Sequence, residues 1–148
     1  MAERISEMES QLKTALGTYK QKLDNAKKIL DGFSTNWAEI RSDVVKPSMQ
    51  ECARVLITEG IECRIDESTM DESIRMSISQ DKTLEPKKWP SINFAKEKAP
   101  YIVIQSFVYG GQNMKNSVVI TNVTGEYVEH SIGSFVKANL EKWGPNLL

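Results

Sequence analysis

The chain has 148 residues, with 19 basic against 20 acidic side chains, a net charge of -1 and a pI near 5.9. So even a balance supplies no long-range field to gather nucleic acid or an anionic membrane, and leaves only local patches to act. The length suits one domain, or a small domain with a helical appendage, and no run of about 18 apolar residues could span a bilayer.

Met1-Ala2-Glu3-Arg4 leads straight into an amphipathic pattern without an apolar leader, so a soluble, cytoplasmic chain is expected. Apolar residues then recur at intervals of three and four from Ile5 to Val44. Leu16, Leu23, Leu30, Trp37 and Val44 hold one seam position, and Ile5, Leu12, Tyr19, Ala26, Phe33 and Ile40 hold the other. That period predicts one long helix whose stripe packs against another helix or a sheet. Asp31-Gly32 and Ser34-Thr35-Asn36 are its weak points, and Asn36 with Glu39 could cap a second helix. The apolar phase continues across this junction, which favours an unbroken helix, kinked at most near 31–36.

Lys13, Lys20 and Lys27, followed by Arg41, make a basic row beside the seam, spaced in multiples of seven. In a parallel pair of identical helices Lys22 would face Lys27, a like-charge contact that opposes that register. Two readings of the helix follow. It packs on its own domain with lysines reaching out at the edge, or it makes an antiparallel or heterotypic helical contact with another chain.

Val45-Lys46-Pro47 is expected to end this helix, with Lys46 extended and Pro47 opening a second helix. Met49, Cys52, Ala53 and Leu56 form the buried stripe of that second helix, and Gly60 its left-handed cap. Two half-buried strands follow, with Ile61, Cys63 and Ile65 inward in one and Ile74, Met76 and Ile78 inward in the other. Asp66 to Glu72 is expected as the hairpin loop between them. Gln80 to Pro100 is polar and broken by prolines, with a short edge strand at Ile92 and Phe94. Tyr101 to Tyr109 is the strongest strand, and it is apolar on both faces: Ile102, Ile104 and Val108 on one, Tyr101, Val103, Phe107 and Tyr109 on the other. A turn at Gly110-Gly111 returns the chain into a strand from Ser117 to Val123. Thr124-Gly125-Glu126 begins a last helix, which Gly144-Pro145 stops.

The fold class read from this order is α+β: a long N-terminal heptad helix, a second helix, a four-stranded antiparallel meander and a C-terminal helix packed on the sheet. Residues 1–45 form a coiled-coil-like helix and residues 46–148 a compact α+β domain.

Chemistry-bearing patterns are sparse. Cys52 and Cys63 are too far apart for a paired redox or zinc motif and read as small buried hydrophobes. His130 lies off the apolar face of the last helix, with only Glu126 in reach. The carboxylates from Glu59 to Glu72 match no calcium loop and read as a solvated surface that could meet the basic row. No glycine-rich phosphate loop and no nucleophile with a matching base occurs, so no catalytic residue, cofactor or metal is expected.

The function expected is therefore non-enzymatic: an interaction or assembly subunit, adaptor or chaperone-like, joined to another protein chain and first of all to a second copy as a dimer. The residues expected to carry it are Leu16, Tyr19, Leu23, Leu30, Phe33 and Trp37 in the seam, Lys13, Lys20 and Lys27 beside it, and Tyr101, Phe107 and Tyr109 on the aromatic strand face. The alternative is a small-ligand or single-stranded nucleic-acid binding domain using that strand face and the loop residues Lys87, Lys88, Trp89, Lys96 and Lys98.

Overall fold

The computed structural model describes residues 2–80, 85, 88–108 and 112–143. Helix α1 runs from Ala2 to Ile40, through Asp31–Asn36 without interruption. It does not end at Pro47. A π-helical turn, Arg41–Val45, passes directly into α2, Lys46–Thr58, and Val45 and Lys46 both keep right-handed helical backbone. The expectation that proline terminates the helix is corrected here, and the reason is geometric. Proline in a helix lacks an N–H and crowds the carbonyl four residues back. A wider turn, bonded from residue i to i+5, relieves both problems. The Lys46 N–H accordingly donates to the Arg41 carbonyl, and Ser48 Oγ donates to the Val44 carbonyl at 2.8 Å.

The extra residue in this turn also resets the apolar phase. A continued three-four spacing beyond Val44 would bury polar positions such as Glu51 and Arg54. The stripe instead runs through Val45 and then Met49, Ala53 and Leu56, two residues beyond the continued spacing, all buried. Gly60, at φ 84°, then closes α2: its N–H donates to the Ile57 carbonyl and that of Ile61 to the Leu56 carbonyl. This is the paired-bond cap that a left-handed glycine permits.

Five strands follow: β1 (Glu62–Ser68), β2 (Ser73–Ser79), β3 (Ser91–Lys96), β4 (Tyr101–Val108) and β5 (Gln112–Val119). They form one antiparallel sheet in meander order. The four strands expected become five because the Ile92–Phe94 segment is a central strand rather than an edge piece, paired to β2 on one side and β4 on the other. Pro90 lies just before it, where its missing N–H leaves the ladder intact. β1 extends to Ser68, which confines the first hairpin loop to 69–72. β5 begins earlier than expected, because pairing with β4 holds its polar first half in register along the sheet edge. Residues 109–111, where the Gly110-Gly111 turn was placed, lie outside the described residues, as does the Gly144-Pro145 stop.

A 3₁₀ turn, Ile120–Asn122, leads to α3, Gly125–Trp143. The Tyr127 N–H donates to Thr124 Oγ1 at 3.2 Å, the hydroxyl cap foreseen in the sequence. One face of the sheet packs on the root of the helical rod and on α3, which together enclose Trp37, Val45, Met49, Ile74, Met76, Phe94, Ile102 and Val128. The result is a two-layer α+β unit. No helix among the described residues is long and apolar enough to cross a membrane.

Candidate interaction surface

The seam of α1 has two fates. From Phe33 onward it is core: Phe33 is 4% exposed and Trp37 is fully buried. The Trp37 indole N–H donates to the Glu72 carbonyl at 2.5 Å, pinning the rod to the β1–β2 hairpin. From Arg4 to Asp31, every side chain is exposed. This arm, about 40 Å long at 1.5 Å per residue, continues the seam with nothing packed over it.

Eight large apolar side chains lie bare along it: Ile5, Met8, Leu12, Leu16, Tyr19, Leu23, Ile29 and Leu30, each between 50% and 58% exposed. At about 100 Å² each, the area implied by the transfer free energy of a leucine, they present roughly 800 Å². That exceeds the ~300–600 Å² of the largest patch on a typical monomer and matches the ~800 Å² that one partner contributes to a standard interface. Met8 and Ile29 were not singled out in the sequence. They sit one place outside the strict seam, and with Ala15 they widen it on one flank. The other flank carries Lys13, Lys20 and Lys27. Lys13 pairs with Glu9 within the helix at 3.3 Å.

The remaining sequence candidates do not join this surface. Phe33 and Trp37 are withdrawn into the core. Tyr101 is exposed and Phe107 half-buried on the outer face of the sheet, at opposite ends of β4 and about 20 Å apart at the rise of a strand. Tyr109 and Lys87 lie outside the described residues. Trp89 is buried, so its ring is not offered for base stacking. Lys88 and Lys98 are exposed, but they flank opposite ends of β3. Lys96 is engaged by the Glu72 carboxylate and by Ser34 Oγ at 3.3 Å. Within the acidic segment, Glu67 pairs with Lys46 at 2.6 Å and Glu72 with Lys96, and Asp66 lies 4.0 Å from Arg64. The segment leaves the basic row of the arm unaddressed.

Cavities open along the sheet. Its outer face is polar, for the register aligns Asp66, Arg75, Asn93, Gln105 and Lys115 in one row. A cavity of about 400 Å³ opens there beside Phe107. A second, of about 390 Å³, lies between β4, β5 and α3 and is lined by Ile104, Val108, Met114, Tyr127 and Phe135. On the second face of β4, apolar in sequence, Tyr101 is exposed, Phe107 half-buried and Val103 buried, and Gln105 lies in the polar row. Among the described residues no cluster of three metal-binding side chains occurs. His130 is exposed. Burial pushes the Cys52 thiol up from its ordinary value; burial, together with Cys52 nearby, pushes the Cys63 thiol up to about 12. Comparisons with models of known families, with curated proteins and with solved structures each return no match.

Proposed function

We propose that this protein is a non-enzymatic interaction or assembly subunit that joins another protein chain through the projecting half of its N-terminal helix. One observation carries the reading. A single heptad seam is buried against its own sheet from Phe33 onward and left bare from Ile5 to Leu30. Burying the bare stretch would stabilise a complex by about 20 kcal/mol of gross transfer free energy at ~25 cal/mol/Å², before the entropy of association is subtracted. The α+β unit then acts as the base that orients the arm.

The test is solution mass by light scattering, with titration of labelled leucine-heptad peptides, on the full chain and on a Leu23→Asp, Leu30→Asp double variant. Association that disappears in the variant while its circular dichroism is retained supports the reading. A full chain that stays monomeric and takes up no heptad helix refutes it.

A second reading, a small-ligand or single-stranded nucleic-acid site, is favoured by the cavity beside Phe107, where Arg75 and Lys115 flank the amides of Asn93 and Gln105. Salt-dependent binding of a single-stranded oligonucleotide that is lost in Arg75→Ala would favour it.

A further inference from the structure

The apolar seam sets how strongly the arm binds, but it does not choose between partners, because any heptad helix would bury it. Choice lies with the charges beside the seam. One flank is Lys13, Lys20 and Lys27; the other is Ala15, Lys22 and Ile29. In a parallel pair of identical arms the two unlike flanks meet, and Lys22 faces Lys27 of the second copy. In an antiparallel pair like flanks meet, and the lysine row faces itself. Neither arrangement brings a carboxylate to the row. Glu9 is turned onto Lys13 in its own helix, and Glu7, Asp24 and Asp31 lie away from the seam. In the acidic hairpin of the domain, Glu67 and Glu72 are already held by Lys46 and Lys96.

Resting on the interaction reading above, we infer that the arm's partner is a heptad helix of a different protein, with aspartate or glutamate flanking its apolar seam. Met8, Ala15 and Ile29 fit the same picture, since they extend the apolar stripe on the flank that carries a single charge. Each lysine contact that changes from like to opposite charge alters binding about two- to fivefold. Over Lys13, Lys20, Lys22 and Lys27 the preference reaches on the order of 100-fold.

The experiment uses the full chain and two synthetic peptides with the same leucine seam, one flanked by glutamate and one by lysine. Fluorescence anisotropy gives both dissociation constants, at low salt and at about 0.5 M salt, where screening shortens the reach of the charges. The expected result is at least a 30-fold preference for the glutamate peptide, shrinking with salt and reversed in Lys13→Glu, Lys20→Glu, Lys27→Glu. Equal affinity for the two peptides overturns the inference and leaves the interaction reading standing. So does a stable homodimer that the glutamate peptide cannot open. Binding of neither peptide by a monomeric chain removes both.

Discussion

Leu23 and Trp37 occupy the same seam position in one continuous helix, and the same substitution should have opposite consequences at the two. Leu23 is 50% exposed and lies on the bare arm, so Leu23→Ala opens no cavity. Alanine is a slightly better helix former, and the folding free energy should stay within about 0.5 kcal/mol. Trp37 is 0% exposed. Trp37→Ala leaves a large cavity, at about 3–5 kcal/mol. It also strips the Glu72 carbonyl of the indole N–H that meets it at 2.5 Å, which adds about 1–3 kcal/mol. The combined loss rivals the whole stability of an ordinary domain, ~5–15 kcal/mol. Trp37→Phe keeps most of the apolar volume and should cost chiefly the hydrogen-bond term. Urea unfolding followed by circular dichroism measures all three, repeated at several protein concentrations because association adds stability by mass action. A loss above about 1.5 kcal/mol for Leu23→Ala, independent of concentration, would show that the arm seam packs within its own chain and would falsify the reasoning.

Gly60→Ala probes the α2 cap in isolation. Nothing lies within 4 Å of an added Cβ, so the loss of about 1–2 kcal/mol comes only from holding an L residue at φ 84°. A cost near zero would mean the left-handed cap is dispensable. Cys63 gives an alkaline signature. Its folded thiol is raised to about 12 from an ordinary 9.0, so its stability contribution is full below pH 9 and is lost as pH rises towards 12. Cys63→Ala should therefore lose less stability than the parent between those pH values. In the folded parent at pH 8, Cys63 should react with iodoacetamide far more slowly than a free thiol. Hydrogen exchange should find the arm amides protected least at Ser6 and progressively more towards Phe33, with protection spreading outward when a partner helix is added.

Much of this architecture was legible, and the misses have physical causes. The seam, the Gly60 cap, the Thr124 cap and the inward set Ile74, Met76 and Ile78 of β2 all follow from local chemistry, whereas Ser77 and Ser79, polar positions of the opposite face, are buried as well. The passage through Pro47 does not, because the rule that proline ends a helix assumes α geometry, and a π turn relaxes the clash behind the rule. A signal was nevertheless present: Val44 and Val45 are consecutive apolar residues, after which the stripe resumes two places late at Met49. β3 was underrated because prolines surround it, although Pro90 stands outside the ladder. β5 was placed late because Gln112 to Ser117 has no apolar alternation, and its strand state is imposed by β4. Six of the eight bare side chains of the candidate surface were visible in the sequence as part of the seam. Which half stays bare was not, since Leu30 and Phe33 look alike until the domain closes over one of them.

The bare half is also the part of the helix least able to sustain itself. Helical stability in proteins ordinarily comes from packing an apolar face, and the arm packs on nothing in its own chain. Here the buried root supplies the nucleus, so the arm has only to propagate from Phe33 towards its tip. For that purpose its apolar stripe helps only weakly, through contacts three and four residues apart worth about 0.2–0.5 kcal/mol each. Polar residues of equal helix propensity would serve a mere spacer as well, and would avoid presenting roughly 800 Å² of apolar surface to other chains. The stripe therefore gains its main stabilising role when something covers it. That is the physical ground for reading the arm as half of an interface and the α+β unit as its anchor.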